Sequence, residues 1–165
     1  MFIGTHTLLP VALALAGENT RLALGRDLAY PAGALPAIGL FGALPDLCSP
    51  HLSLEARYSS GSHTLLFLGL VLPVCIGVAC LFPRGSRRLL ALSCWIATVL
   101  HLAADALSGG IAWLRPWSDS ILGAYAIHPD LWPVSDGLFV LLTWLLLSLR
   151  RRLRLKLADT APAGA

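Results

Sequence analysis

The chain has 165 residues, of which 56% are hydrophobic and 13% charged, with a mean hydropathy of +0.74; an average soluble domain carries roughly a quarter charged residues. That balance excludes an ordinary water-soluble domain and predicts a single membrane-embedded unit. The net charge of +3 reads poorly as nucleic-acid binding, because five of the twelve Lys and Arg residues lie in the run 150–156, where a juxtamembrane anchor that attracts anionic lipid is expected.

In chain order, residues 2–16 and 28–44 are apolar but short, interrupted by Gly and Pro, and the first contains His6. They predict two short packed helices, or re-entrant segments shielded by protein. Ala14-Leu15-Ala16 resembles a signal cleavage site, yet no basic residue precedes the apolar run, so the segment is read as retained. Residues 64–82 form nineteen uncharged positions and the clearest span. Residues 89–107 come next, uncharged until His101 and Asp105, and 138–149 extends back to Trp132 and ends at the arginines. Cys75, Cys80 and Cys94 sit in apolar runs as small hydrophobes, and no zinc-type cysteine spacing occurs. The expected fold is all-α: a polytopic membrane bundle of about five transmembrane or membrane-embedded helices over 1–149. A basic cytoplasmic tail, 150–165, follows and is disordered at its end.

Orientation follows from charge. With 150–156 and the Arg84/Arg87/Arg88 loop in the cytoplasm, alternating spans also put Arg21 and Arg26 inside, leaving only Arg57 and Arg115 outside. The N-terminus is then outside and the C-terminus cytoplasmic. His6, Asp46, His63, His101 and Asp105 all fall at the outer side. His101 and Asp105 are one helical turn apart on one face, about 18 and 24 Å along a helix begun at Leu89. Ionisable groups at membrane depth are costly and read first as functional. Mixed imidazole and carboxylate donors suit a divalent metal; zinc accepts both and leaves a position for water, with manganese or iron as alternatives.

The ordered set Thr5-His6, Gly42-Ala43-Leu44-Pro45-Asp46, Gly61-Ser62-His63-Thr64, His101-Leu102-Ala103-Ala104-Asp105 and Trp113-Leu114-Arg115-Pro116-Trp117 resembles the YdjM-type family of predicted membrane-bound metal-dependent hydrolases. The resemblance implies His6, Asp46, His63, His101 and Asp105 as metal ligands or their close partners, in a bacterial cytoplasmic (inner) membrane. Two departures stand out. Where the family continues Asp-x-Asp-His, this chain has Asp46-Leu47-Cys48-Ser49, and where it has His-Arg-Gly, this chain has Tyr58-Ser59-Ser60. Cys48 or His51 are the substitutes on offer, and the site holds one metal or two.

Plainer readings stand beside these. His6 can anchor a helix end, Asp46 can be a turn acid, and His63 can follow a Ser62 cap. His101 and Asp105 can form a polar link between helices. Trp113, Trp117, Trp132 and Tyr125 suit an outer loop lying along the membrane surface and roofing the site. Arg115 is expected to bind a substrate phosphate or to pair with Asp119. Asp130 and Asp136 are further acids, Asp136 also fitting a helix start, and His128 is a loop residue. The resulting expectation is a metal-dependent hydrolase, zinc being the first choice, acting at the outer face on an ester or phosphoester of a lipid or lipid-linked substrate. In it Asp46 is a ligand or the base that orients water. A non-catalytic structural or interaction protein is the alternative, and a small transporter using intramembrane acids is a third.

Overall fold

The computed structural model describes residues 3–50 and 53–160. It is all-helical, 72% helix with no strands among the described residues. The helices are α1 (Ile3–Ala23), α2 (Ala34–Cys48), α3 (Leu54–Ser59), α4 (Leu65–Ala79), α5 (Arg87–Leu107) and α6 (Trp132–Thr160), with 3-10 turns at Arg84–Ser86 and Pro129–Leu131. Residues 108–126 form a loop pinched by isolated antiparallel bridges, Ser108 to Tyr125 and Ile111 to Leu122.

Helix boundaries depart from hydropathy for identifiable reasons. α1 runs past residue 16 through Gly17-Glu18-Asn19 because these polar groups find internal partners: Glu18 Oε1 accepts from the amides of Ala29 (2.7 Å) and Tyr30, and Asn19 Nδ2 donates to Leu146 O. α2 starts only after Pro31 and Gly33, whose φ of 83° is a left-handed value that glycine adopts freely. It continues through Pro45, which has no N–H for the Phe41 carbonyl; the Thr98 hydroxyl of α5 donates there instead (3.1 Å). α4, expected over 64–82, ends at Ala79 after 15 residues. At 1.5 Å per residue that is about 22 Å, short of a hydrocarbon core of about 30 Å. Two helices are long and apolar enough to cross a membrane, Arg84–Leu107 and Trp132–Leu157. α6 stays helical through the arginine run, which the sequence reading assigned to a tail.

Successive long helices alternate in direction. Gly39 of α2 faces Thr7 and Val11 while Gly42 faces His6, so α1 and α2 are antiparallel; α4 meets α5 antiparallel through His63–His101 and Leu68–Trp95. α1 and α6 are parallel, tied by Thr5–Asp136 and Asn19–Leu146. The apolar core lies between α2, α4 and α5, around Ile38, Phe41, Val71, Leu90 and Cys94. Only 6% of the apolar part of α6 is buried by protein, which leaves its side chains for a lipid medium. One end of the bundle therefore collects the starts of α1, α4 and α6 and the ends of α2 and α5. Arg21, Arg26, Arg84, Arg87, Arg88 and the run 150–156 lie at the other.

The α1–α2 contact depends on a missing side chain. Pro10 cannot donate to the His6 carbonyl, and Gly42 packs directly against that oxygen: a Cβ on Gly42 would come within 2.2 Å of it. Gly42→Ala is expected to destabilise the protein by about 1–3 kcal/mol through this overpacking. Gly17→Ala, with nothing within 4 Å of its Cβ, should be neutral or slightly stabilising. Unfolding in detergent tests both, and equal stability of the two variants would contradict the close approach.

Candidate metal centre

Two carboxylates sit where helix electrostatics disfavour them. Asp46 lies in the last turn of α2 and Asp105 in the last turn of α5, at the negative ends of both helices. The two acids add to the carbonyl ends, so this pocket calls for positive charge. Two imidazoles complete it: His101 from α5, and His63 from the segment entering α4.

The partners of each imidazole assign its tautomer. His101 Nδ1 is 2.7 Å from the Gly42 carbonyl, an atom that only accepts, so Nδ1 carries the proton and the Nε2 lone pair points into the pocket. Ser62 donates its hydroxyl hydrogen to Pro45 O (2.7 Å) and so accepts from His63 Nδ1 at 3.1 Å, with Ser60 Oγ at the same distance. With Nδ1 donating to these serine oxygens, His63 Nε2 also presents a lone pair; the Ser60 hydroxyl can donate to Nδ1 in the other tautomer. The two Nε2 atoms stand 3.2 Å apart. Two lone pairs at that separation repel unless a cation or a proton lies between them.

The donor atoms have the dimensions of a coordination shell. His63 Nε2 is 3.3 Å from Asp46 Oδ1 and 3.1 Å from Asp105 Oδ2, and His101 Nε2 is 3.4 and 3.5 Å from the same two oxygens. With the Nε2–Nε2 distance, the five separations that involve an imidazole all lie between 3.1 and 3.5 Å. A tetrahedral zinc with bonds of about 2.0–2.1 Å requires about 3.3 Å between donors. Asp46, His63, His101 and Asp105 together form a group that can hold a metal ion, all four ligand atoms within 4.8 Å of one another. Gly42, Ser60 and Ser62 supply the outer hydrogen bonds that orient such imidazoles. Three members are buried, while the Asp46 side chain is 16% exposed, so Asp46 is the member nearest the protein surface.

His6 lies beside this group and outside it. Its ring stacks on His101 (centroids 3.8 Å), and its Nε2 is 3.2 Å from Asp105 Oδ1, the oxygen turned away from the four-donor centre. Asp136 of α6 fastens the first turn of α1 by accepting from both the amide and the hydroxyl of Thr5. Asp136 is thus an anchor for His6.

Arg57 was absent from the sequence reading of the site. It is 2% exposed, and its Nη1 meets Asp105 Oδ1 at 2.7 Å while donating to the Asp105 carbonyl and Ser108 Oγ; Nη2 donates to Ser108 O. The guanidinium caps the end of α5 and neutralises one side of Asp105. Its carbon lies 5.9 Å from the Trp132 ring centroid. The available signal was its place as one of two basic residues on the acidic end of the bundle.

A model of the YdjM inner membrane protein family matches residues 1–161. The chain belongs to that family. No curated protein and no solved structure matches it.

The two departures of this YdjM family member now have positions. Cys48 is exposed at the end of α2 and is not in the four-donor group, while His51 lies outside the described residues. The Tyr58 hydroxyl donates to Gly109 O (2.9 Å) and meets Tyr125 Oη. Desolvation and the Tyr125 bond push its phenol above the ordinary value, so it remains a donor. Thr64, rather than Ser62, caps α4, accepting from Phe67 N. Asp46 is helical and not a turn acid. Arg115 is tied to Asp119 (3.2 Å) and to the Tyr58 carbonyl (3.0 Å), the pairing expected as its plainer role. His128 and Asp130 pair in the exposed loop. Trp117 is 74% exposed; of the aromatic set, Trp132 is the one whose ring borders Arg57.

Proposed function

We propose that this YdjM family member is a metal-dependent hydrolase of a bacterial cytoplasmic membrane, with zinc held by Asp46, His63, His101 and Asp105. The five long helices are embedded with the basic end in the cytoplasm and the N-terminus outside. One observation carries the reading: four nitrogen and oxygen donors, drawn from α2, the entry to α4, and α5, lie within 4.8 Å of one another, and every separation that involves an imidazole is 3.1–3.5 Å. When bound, a divalent ion supplies positive charge against a developing oxyanion and makes water more acidic. Asp46, the donor nearest the protein surface, is the fourth ligand or, where a water would take that position on an ion held by His63, His101 and Asp105, the base that orients the water and accepts its proton. Arg57 and His6 hold Asp105 from behind. The centre lies at the bundle end that carries Trp113, Trp117, Tyr125 and Trp132, residue types that suit a membrane interface, which favours an ester or phosphoester at headgroup depth, in a lipid or lipid-linked substrate.

Purified protein is expected to hydrolyse a chromogenic ester or phosphodiester, or a vesicle lipid. Chelation should abolish turnover, and zinc should restore it. Asp46→Asn should lower kcat by about 100-fold or more. Zinc-loaded wild-type protein that turns over none of these substrates would remove the hydrolase reading. The buried Arg57–Asp105 pair favours a second reading, in which the same polar cluster only knits the helix ends. That reading expects folded, metal-free protein whose stability is indifferent to zinc.

A further inference from the structure

We propose that the bundle end opposite the metal centre carries a phosphate-binding groove, walled by Arg150, Arg151 and Arg154 of α6 and by the α1–α2 loop. It takes the phosphate of an acidic phospholipid headgroup or of a soluble phosphate compound.

Because α6 remains helical through the arginine run, Arg150 and Arg154 fall one turn apart on a single face. Arg154 lines three adjoining cavities. One, of about 490 Å³, is shared with Arg150, Arg151 and Leu147. Another, of about 510 Å³, is shared with Arg26 and Asp27, and the last, of about 210 Å³, with Arg150 and the backbone turn at Pro31–Gly33.

The wall is built in advance. Glu18 is buried in α1, about 18 Å along that helix from His6, and one carboxylate oxygen accepts from the amides of Ala29 and Tyr30, fixing the loop. The other oxygen holds Arg150 Nη2 at 3.3 Å. Glu18 is thus committed to the loop and to Arg150, and no ion pair with a described residue engages Arg26, Arg151 or Arg154.

The second observation is an unfilled donor. Arg150 Nε is buried with no hydrogen-bond partner among the described residues, although buried N–H groups in native proteins almost always have an acceptor. The Arg150 side chain is 17% exposed, so a small turn of its guanidinium lets an anion in the groove accept from this nitrogen. Guanidinium forks recognise phosphate through paired hydrogen bonds. Leu147 and Leu155 beside the arginines place the groove where the apolar length of α6 ends, at the depth of a headgroup phosphate.

The full-length protein in uncharged detergent would be titrated with dihexanoylphosphatidylglycerol and with inorganic phosphate, with dihexanoylphosphatidylcholine as the zwitterionic comparison. Binding would be read by calorimetry or native mass spectrometry. Saturable binding of phosphatidylglycerol or inorganic phosphate is expected, weakened about five- to tenfold by Arg154→Gln and by Arg151→Gln. Arg152→Gln, outside the groove, should change it by less than about twofold. Tighter binding of phosphatidylglycerol identifies a lipid ligand, whereas displacement by equal concentrations of inorganic phosphate identifies a soluble one. Absence of binding by both probes overturns the proposal. So does an equal loss in Arg152→Gln and Arg154→Gln, the mark of diffuse charge. Circular dichroism confirms that each variant is folded, and the exposed Arg151 serves if Arg154→Gln is not. Removing the metal should leave this binding unchanged, which separates it from the outer centre.

Discussion

His101→Ala is expected to lower metal affinity by well over 100-fold, leaving protein that purifies without stoichiometric zinc where the wild type retains it. Replacing an outer hydrogen-bond partner of a metal ligand already costs about 10–100-fold, and this substitution removes the ligand itself. His101 occupies the middle of the group: its Nε2 is within 3.5 Å of Asp46, His63 and Asp105 donors alike, and its Nδ1 is locked by Gly42. His6→Ala supplies the contrast. His6 contacts the far oxygen of Asp105, so its loss should weaken binding by about 10–100-fold, as an outer partner does. Elemental analysis with a competitive chelator titration measures both. Equal losses for the two variants would make His6 a ligand and refute the four-donor assignment; undiminished metal in His101→Ala would refute the centre altogether.

Arg57→Met should destabilise the metal-free protein by about 3–5 kcal/mol. Removing one member of a buried ion pair strips the other charge of its counterion, and here that charge is Asp105, already at the negative end of α5 and left with imidazole partners alone. The guanidinium also donates to the Asp105 and Ser108 carbonyls; the first keeps the amides of Ser108 and Gly110, while the second loses this donor. Zinc bound in the proposed centre would place positive charge on the other oxygen of Asp105, so saturating zinc should recover part of the loss. Denaturant unfolding in detergent, with and without zinc, makes the measurement. A variant as stable as the wild type without metal would show that Arg57 does not carry the charge of Asp105. The same loss with and without zinc would show that the ion does not act on this carboxylate.

Much of the bundle was legible because its information is local. Apolar runs, prolines and the charge bias mark all five long helices, and the i, i+4 spacing of His101 and Asp105 puts them on one face. The order of short motifs, from Thr5-His6 to Trp113–Trp117, identified the family that matches residues 1–161. Helix ends were less legible. Hydropathy closes α1 at residue 16, but Glu18 and Asn19 continue it because the α1–α2 loop and α6 satisfy them. Hydropathy likewise extends α4 beyond Ala79, where Pro83 and the turn before it have already ended the helix.

By itself, the sequence determined a membrane-embedded all-helical chain, its family, and a set of histidines and aspartates grouped at one end by alternating helices. Tertiary structure decided which of them share a centre. It drew Asp46, His63, His101 and Asp105 together and set His6 behind Asp105. It brought in Arg57 across 48 residues of sequence and turned Asp136 into an anchor for α1. Periodicity reports only neighbours within a turn or two of the same helix. A buried carboxylate takes whichever cation or N–H donor the packing of other helices brings within about 3 Å, and no local pattern encodes that choice.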